Sequence, residues 1–481
     1  MAKRNELPAL VAALLITVAI LGGGGWWLYS KFAGDGGLSI GNPLGNRPER
    51  LDGSGSGNQT AQSRTADVTG KSILPIAASA TKQQGLEALA AGDNASAQSS
   101  FEAALAENRN DPESLIYLNN AKIGNNDAYT IAAAIPASND FLGPALEIMR
   151  GVAQAQLEIN EAGGINGRPL KVLLISDGGT PQTAQETATA LVNDTAVLGV
   201  VGHYSSDMSL AAAEAYEAGQ LAMISPTSTA VSIANAGDYI FRTVPSDRLA
   251  AASLARYMLN ELNQQQAVVF YTGASAYSRS VQSEFTTELL SNGGQVVAEF
   301  DVDDPGFSAG RALQSATQAG ADVIMLALTD ETSDASLQVL SVNRQALPVI
   351  GGDSLYDFNI LDVGRQDAVG LTVAVPWHIL SHQQSPFVQT SQKLWGAAVN
   401  WRTVTAYDAV MALGAAIATG GDSRQEVTRA LSEPGFDTKG ATSAVRFFPT
   451  GDRNQPSQLV TVVQKSGSSL SGTGYDYEPT Q

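Results

Sequence analysis

The sequence predicts an α/β protein with two doubly wound, Rossmann-like lobes joined by a multi-strand hinge, preceded by a transmembrane helix, a flexible linker and a short α-helical hairpin. From Tyr129 onward, short apolar segments rich in β-branched residues alternate with helical segments. Such alternation builds parallel sheets that are covered by helices. It occurs in two series, each about 120 residues long, which is the size of one domain. A helix at 406–418 and an extended segment at 459–463 follow the second series, so we expect several chain crossings between the lobes.

Residues 1–31 are predicted to anchor the chain in a membrane. The stretch 7–29 is almost continuously apolar and long enough to span a bilayer. Lys3 and Arg4 precede it, which places the N-terminus in the cytoplasm by the positive-inside rule. The alternative is a cleaved signal peptide, since Gly22–Gly25 are small. We favour the anchor, because an Ala-x-Ala cleavage site is lacking and aromatic residues close the stretch, as at a membrane interface.

Two further segments separate this anchor from the α/β region. Residues 32–79 are rich in Gly, Ser, Asn and Pro without a hydrophobic period, which predicts a flexible linker. Residues 80–124 predict two or three amphipathic helices, with Pro112 in the first turn of the last one. Their spacing of small residues resembles a single tetratricopeptide repeat. One such repeat cannot bury its own apolar face, so we expect this hairpin to pack against a neighbour or to act as a spacer.

The composition excludes several functional classes. A formal net charge of −19 argues against binding to nucleic acid and to anionic lipid surfaces. The chain has no cysteine, and therefore no disulfide, no thiolate nucleophile and no cysteine-bound metal. Charged residues make up 16% of the chain and hydrophobic residues 44%, a balance typical of globular domains rather than of disordered chains.

Two hydroxyl-rich turns mark the most informative part of the sequence. The apolar segment 198–202 predicts a buried strand, followed by a polar turn at 203–207, a helix at 208–220 and a second strand at 221–224. The segment Ser225–Thr229 then repeats the hydroxyl-rich turn. In a strand–helix–strand unit both turns lie at the same edge of the sheet, where open α/β sheets bind ligands. Hydroxyls and a helix N-terminus together would bind a small anion, most simply a carboxylate, although both turns are equally compatible with ordinary helix caps.

Several short motifs occur in the order found in the type I periplasmic solute-binding proteins of branched-chain amino-acid ABC transporters. The region from about residue 127 to residue 465 resembles this family through the segments Ile159–Gly167, Gly202–Ser206, Ile224–Thr229, Tyr407–Ala409 and Gly451–Arg453. Each segment alone is a weak signal, whereas their shared order over most of the chain is specific.

The resemblance implies a bilobed domain that closes on a ligand by bending at its hinge. Lobe 1 would comprise about 127–246 and 377–449, and lobe 2 about 247–376 and 450–465, followed by a disordered tail at 466–481. It also implies an extracytoplasmic protein on the periplasmic side, anchored in the inner membrane, that captures an amino acid or related small amide and presents it to an ABC permease. The alternative is a membrane-anchored ligand sensor or scaffold whose hairpin docks a partner protein.

The resemblance also implies a set of ligand-binding residues. Ser206 falls where family members bind the α-carboxylate of the ligand, and Ser228, through its backbone N–H, and Thr229 fall in the second carboxylate turn. Asp353 falls where an acidic residue binds the ammonium group, and Tyr277 matches an aromatic residue that covers the ligand. These roles agree with the chemistry, since a zwitterion needs donors at one end and a carboxylate at the other.

Other positions depart from the family pattern. Branched-chain amino-acid binders commonly carry a tyrosine where this chain has Thr329 and Asp330, and a second acid would favour a polar or basic side chain over leucine. Phe141 is a candidate aromatic wall of the site. Tyr204 could line the side-chain pocket or belong to the core, whereas we expect Trp377 to be core.

Catalytic and metal-binding patterns are lacking in the sequence. His203 lies beside the first ligand turn, where we expect a structural hydrogen bond rather than a base. His378 and His382 have helical ligand spacing but lie in a predicted loop without a nearby acid. The chain carries no Gly-x-Ser-x-Gly elbow, phosphate loop or dinucleotide fingerprint. We therefore predict a protein that binds but does not catalyse, with neither a cofactor nor a metal ion.

Overall fold

The computed structural model describes residues 71–480, and the predicted anchor at 1–31 lies outside them. The described chain begins with three helices: α1 (Ala80–Ala90), α2 (Asn94–Glu107) and α3 (Pro112–Ile123). Each starts at a side chain that accepts a hydrogen bond from the backbone of the first turn, namely Ser79, Asp93 and Asp111. These helices occupy the range predicted to be a hairpin.

The three helices are fixed to the rest of the protein through α3. Nearly every residue of α3 is buried, and the Asn120 side chain donates to the carbonyl of Val172 (2.7 Å) and accepts from its N–H (3.2 Å). The guanidinium of Arg109 donates to the carbonyls of Gln392 (3.0 Å) and Leu394 (3.2 Å) at the end of a later helix. The helical unit therefore packs against the α/β region, as expected for a repeat that cannot bury its own face.

The prediction of a flexible linker up to residue 79 is wrong for its last residues. Glu113 is fully buried and accepts hydrogen bonds from the hydroxyl of Ser72 (2.6 Å) and the N–H of Ile73 (2.7 Å). It also pairs with the ammonium of Lys82 at 2.7 Å. A buried carboxylate needs such partners, so Glu113 holds the end of the linker against the helices, with Leu74 buried beside it.

Lobe 1 is built on a five-stranded parallel sheet with the strand order β2-β1-β3-β4-β5. In chain order its elements are β1 (Tyr129–Ile135), α4 (Leu142–Glu161), β2 (Leu170–Ser176), α5 (Pro181–Asn193), β3 (Val197–Val201), α6 (Ser206–Ala218), β4 (Met223–Ser225) and β5 (Ile240–Arg242). β3 is buried throughout, as expected for a parallel strand covered on both faces.

Lobe 2 contains the second doubly wound unit. Its first elements are α7 (Asp247–Asn260), β6 (Gln266–Tyr271), α8 (Ala276–Ser291), β7 (Gln295–Asp301), α9 (Ala309–Gln318), β8 (Val323–Ala327), α10 (Ser333–Asn343), β9 (Val349–Gly351), α11 (Arg365–Ala368) and β10 (Thr372–Val375). The strands β6 to β10 pair in parallel in the order β10-β9-β8-β6-β7. The two parallel sheets confirm the predicted α/β class with two doubly wound lobes.

The chain then returns to lobe 1 before it completes lobe 2. Lobe 1 gains α12 (Pro386–Trp395), α13 (Trp401–Gly420), α14 (Arg424–Ser432) and the short hairpin β11 (Thr438–Lys439) and β12 (Ala444–Val445). Within residues 71–480, α13 is the one helix long and apolar enough to cross a membrane, and most of it is buried inside the protein. It is therefore a core helix, packed against α4.

Charged side chains fix the last crossing between the lobes. Arg242, at the end of β5, pairs with Asp452 at 2.7 Å, and Arg453 pairs with Asp408 of α13 at 2.9 Å. Both guanidinium groups are fully buried, and Asp408 also accepts from the N–H of Ala441 at 2.7 Å. These pairs bind the segment that leads into lobe 2 to the body of lobe 1.

The prediction of a disordered tail at 466–481 is also wrong. The sheet of lobe 2 ends with β13 (Gln458–Gln464), antiparallel to β10, and β14 (Tyr475–Pro479), antiparallel to β13. The Gly/Ser-rich turn between them is ordered by Asp476, which accepts from the N–H groups of Leu470 and Ser471, each at 2.9 Å. A five-residue strand after such a turn has too short an alternating pattern to be recognised in the sequence.

Candidate ligand-binding site

A cavity of about 320 Å³ lies between the two lobes, at the carboxyl ends of their parallel strands. Its volume falls within the range of small-molecule sites. Both lobes line it, with Tyr204, Ser205, Ser206, Asp207, Thr227, Trp401 and Arg402 on one side and Thr272, Tyr277, Thr329, Asp330, Asp353 and Ser354 among those on the other. Five of the eight predicted site residues are in this lining: Tyr204, Ser206, Tyr277, Asp330 and Asp353.

The first hydroxyl-rich turn contributes Ser206. Ser205 caps α6 by accepting from the N–H of Met208 at 3.2 Å, which places Ser206 in the first helical turn. The Ser206 hydroxyl accepts from the N–H of Ala230 at 3.2 Å, and its own proton can be donated to a ligand. Ser206 therefore lies in the cavity lining with a hydroxyl proton that its contact to Ala230 does not use.

The second turn differs from the prediction at Ser228. The N–H of Ser228 donates to the hydroxyl of Ser225 at 3.0 Å, and its own hydroxyl pairs with that of Ser209 at 2.8 Å. Both polar groups are thus used within lobe 1, and Ser228 does not line the cavity, so its predicted contact through the backbone N–H is wrong. Thr229 is also outside the lining, and its buried hydroxyl lies beside the carboxylate of Asp247.

His203 stabilises the first turn through hydrogen bonds of its imidazole ring. Its Nδ1 lies 2.7 Å from a carboxylate oxygen of Asp177 and its Nε2 lies 2.9 Å from the hydroxyl of Tyr216, and all three side chains are buried. The His203 carbonyl accepts from the Ser225 hydroxyl at 2.8 Å. These contacts connect the two turns and confirm the predicted structural role of His203.

On lobe 2, Tyr277 and Asp353 form one hydrogen-bonded unit. The Tyr277 hydroxyl donates to Asp353 at 3.0 Å and accepts from the N–H of Ser354 at 3.3 Å. A Cβ at Gly352 would lie 2.2 Å from the Tyr277 hydroxyl, so glycine there allows this contact. Burial raises the pKa of Asp353, whereas Arg402 and the Tyr277 hydrogen bond lower it.

Asp247 is a second buried carboxylate near this unit, and the sequence prediction did not include it. It is 1% exposed, and the hydroxyls of Ser280 and Thr229 lie beside its carboxylate. Burial, followed by the charge of Asp353, raises the pKa of Asp247 to about 7, although the neighbouring hydroxyls of Ser280 and Thr229 lower it.

Arg402 is the main site residue that the sequence prediction missed. It lies in the first turn of α13, is buried, and its Nη2 is 3.7 Å from a carboxylate oxygen of Asp330. The same Asp330 oxygen accepts a hydrogen bond from the Tyr204 hydroxyl. Burial raises the pKa of Asp330 to about 6, against the opposing effect of Arg402. Asp330 was expected to favour a polar or basic side chain, and because Arg402 offsets its charge, the pair favours the polar alternative.

The two aromatic predictions on lobe 1 have different outcomes. Tyr204 lines the cavity and packs against Phe141 with ring centroids 5.2 Å apart. Phe141 is buried behind Tyr204 and does not line the cavity, so it supports the wall rather than forming it. Trp377 is 1% exposed, which confirms it as core.

The lobes also contact each other directly beside the cavity. Both carboxylate oxygens of Asp207, in lobe 1, accept from the N–H of Ala276 at the start of α8, at 3.0 and 3.1 Å. The Ser275 hydroxyl donates to the same carboxylate at 3.3 Å. A carboxylate at a helix N-terminus is favourable, so Asp207 joins the lobes at the cavity edge.

Together, the two parallel-sheet lobes, the multiple crossings and the cavity between the lobes define a type I periplasmic binding protein architecture. The sequence matches the Periplasmic binding protein family over residues 129–469, and the chain belongs to this family.

Curated proteins and solved structures show the same relationship. The chain is 32% identical over 123 residues to an amino acid binding protein of Pseudomonas aeruginosa, covering 25% of this chain and 33% of the relative. It is 30% identical over 152 residues to the leucine-, isoleucine-, valine-, threonine-, and alanine-binding protein of the same organism, covering 31% and 40%. These matches thus span well under two thirds of the relatives' length. An ABC transporter substrate-binding protein from Desulfitobacterium hafniense superposes with a TM-score of 0.61 and 26% identity, covering 73% of this chain and all of that one.

Proposed function

We propose that this protein is an extracytoplasmic solute-binding protein that captures an amino acid or related small amide between its lobes and presents it to an ABC transporter. The observation that carries the proposal is that Ser206 of lobe 1 and the Tyr277–Asp353 unit of lobe 2 line the same cavity. Only a ligand held between the lobes can contact both, so binding favours the closed arrangement.

The proposed roles follow from charge and hydrogen bonding. Ser206 donates to the α-carboxylate at the N-terminus of α6, whose backbone N–H groups and dipole also favour an anion. Asp353 accepts from the α-ammonium, and Tyr277 orients that carboxylate. Thr229, whose hydroxyl lies beside the buried carboxylate of Asp247, supports this end of the site from outside the cavity lining. Tyr204 and Asp330 face the ligand side chain.

The binding activities for which the relatives are named support the ligand class. They describe an amino acid binding protein and a protein that binds leucine, isoleucine, valine, threonine and alanine. A structure of the same fold from Desulfitobacterium hafniense is a complex with leucine. The anchor at 1–31 would hold the protein at the outer face of the inner membrane, close to a permease.

The sensor or scaffold alternative depends on the helical unit α1–α3. Because α3 is buried against lobe 1, a partner protein would have to bind the outer surfaces of α1 and α2. The tetratricopeptide-like hairpin would then move with lobe 1 when the lobes open and close. Both functions require the cavity to capture a solute, so solute capture is the conclusion we draw.

A thermal-shift screen of the full-length protein in a nonionic detergent tests the ligand class. We expect at least one of the common amino acids, small amides or urea to raise the melting temperature, because a ligand that binds only the folded state stabilises it. Asp353→Ala should abolish the response to any ligand with an α-ammonium. Asp322→Ala, a carboxylate of lobe 2 that is outside the cavity lining, is the matched control and should retain it. A screen without any response would overturn the proposal.

A further inference from the structure

The inner wall of the cavity is made by one charged residue from each lobe. Arg402, from lobe 1, and Asp330, from lobe 2, lie 3.7 Å apart through Nη2 and a single carboxylate oxygen, Oδ2. The hydroxyl of Tyr204 also donates to Oδ2. The Nη1 of Arg402 donates to the carbonyl of Tyr356 at 3.4 Å. These contacts hold the two charged groups side by side against the aromatic ring of Tyr204.

Each of these side chains keeps one buried polar atom without a partner. The Nε–H of Arg402 and the Oδ1 of Asp330 make no hydrogen bond to any of the residues 71–480. Arg402 is 4% exposed, and both residues line the cavity. A buried donor or acceptor left unpaired costs free energy, so this wall offers one donor and one acceptor to a ligand.

The combination discriminates among side-chain chemistries. A carboxylate could accept from Arg402 but would place a second anion beside Asp330. An ammonium or guanidinium could donate to Asp330 but would place a second cation beside Arg402. An aliphatic side chain would leave both polar atoms buried and unpaired. A primary carboxamide has an oxygen that accepts from Nε–H and an NH₂ group that donates to Oδ1, and it carries no charge.

We propose that the Arg402–Asp330 pair selects α-amino acids whose side chain ends in a primary carboxamide, namely L-glutamine or L-asparagine. This inference rests on the proposed function, since it requires the α-carboxylate and α-ammonium to bind at Ser206 and Asp353. It goes beyond it by assigning the specificity of the site to a residue pair contributed by both lobes.

Isothermal titration of the full-length protein in a nonionic detergent tests the inference. The ligands are L-glutamine, L-asparagine, L-leucine, L-glutamate and L-lysine. We expect L-glutamine or L-asparagine to bind at least about tenfold more tightly than the other three, because a site built to hydrogen-bond a polar group rejects ligands that leave its groups unpaired. If L-leucine binds as tightly as both carboxamides, the proposed function holds and this inference is overturned. If none of the five binds, this inference is overturned, whereas the proposed function is overturned only when the wider thermal-shift screen also gives no response.

A paired variant separates selection from folding. Removing one charge alone would leave the other buried and uncompensated, so the test variant is the double substitution Arg402→Met with Asp330→Leu. We expect it to melt cooperatively, to lose the carboxamide preference and to bind L-leucine at least as tightly as L-glutamine. A double variant that retains the wild-type preference would overturn the inference. Should the double variant fail to fold, Asp330→Asn provides a second measurement, in which the carboxamide preference should fall by about tenfold.

Discussion

Replacing Gly151 by alanine tests whether the two long helices of lobe 1 cross as closely as the structure shows. A Cβ at this position of α4 would lie 2.2 Å from the carbonyl oxygen of Thr403 and 2.7 Å from the backbone nitrogen of Tyr407, both in α13. Nonbonded contacts are comfortable at about 3.5–4.0 Å. Because both partners are backbone atoms, they cannot rotate away, and the helices would have to separate by about 1 Å.

The magnitude follows from two opposing effects. Alanine is favoured over glycine within a helix by about 1 kcal/mol. Overpacking a well-packed contact costs about 1–3 kcal/mol, and we expect the upper part of that range because the clash involves backbone. The net loss in the free energy of unfolding should be about 1–2 kcal/mol, which lowers the melting temperature by roughly 1–2 °C for a chain of this length. Arg402 precedes Thr403, so the same displacement moves the wall of the cavity.

Urea denaturation and thermal melting of the full-length protein measure this loss. Gly310→Ala is the matched control, because Gly310 is exposed in α9 and a Cβ there meets nothing within 4 Å. The control should be more stable than the wild type by up to about 1 kcal/mol. A Gly151→Ala protein as stable as the wild type, with the control behaving as expected, would refute the close helix crossing.

Three further predictions concern buried or bridging carboxylates. Asp207→Ala should weaken amino-acid binding by about tenfold in calorimetric titration, because it removes the bond to α8 across the cleft. Asp322→Ala should not weaken binding, because that carboxylate lies outside the cavity lining and accepts from the N–H of Gln266 in its own lobe at 2.8 Å. Equal losses in the two variants would contradict this. Burial is the largest cause that raises the pKa of Asp247 to about 7. The buried carboxyl therefore loses its proton, and the stability that this proton provides, as the pH rises through 7. Asp247→Asn should raise the melting temperature more at pH 8 than at pH 5, and the same increase at both pH values would contradict this prediction. Asp408→Ala leaves the guanidinium of Arg453 buried without its carboxylate partner. The free energy of unfolding measured by urea denaturation should fall by about 3–5 kcal/mol. A loss below about 1 kcal/mol would indicate that water solvates the pair.

The alternating part of the fold could be predicted because its signals are local. The predicted strand at 198–202 is β3, and the predicted helix at 208–220 is α6, which begins two residues earlier because Ser205 caps it. β10 was not predicted, although with four residues it is longer than β4, which the predicted strand at 221–224 located. The fixed end of the linker depends on Glu113, whose contacts bridge some 40 residues of sequence.

Only part of the candidate site could be predicted, because some of its residues are brought together by contacts between distant parts of the sequence. Ser206 and Asp353 follow strands directly, so the edge of the sheet brings them to the cavity. Ser228 was assigned to the ligand wrongly, because the sequence does not show that Ser225 takes its N–H. Arg402 was missed because it enters the cavity from a helix that follows lobe 2 in the chain. The signal that could have indicated it is its place in the first turn of the helix that carries Tyr407 and Asp408.

The unpaired polar atoms at the lobe interface explain how closure could depend on a ligand. The Oδ1 of Asp330 and the Nε of Arg402 are both buried without partners among the described residues. Separating the lobes would expose such groups to water, so closing them without a ligand costs desolvation that no hydrogen bond returns. A ligand that forms hydrogen bonds with both atoms lowers the free energy of the closed arrangement but not that of the open arrangement. That difference in contacts is what a population shift requires, and contacts such as the Asp207 bond to α8 then hold the closed lobes together.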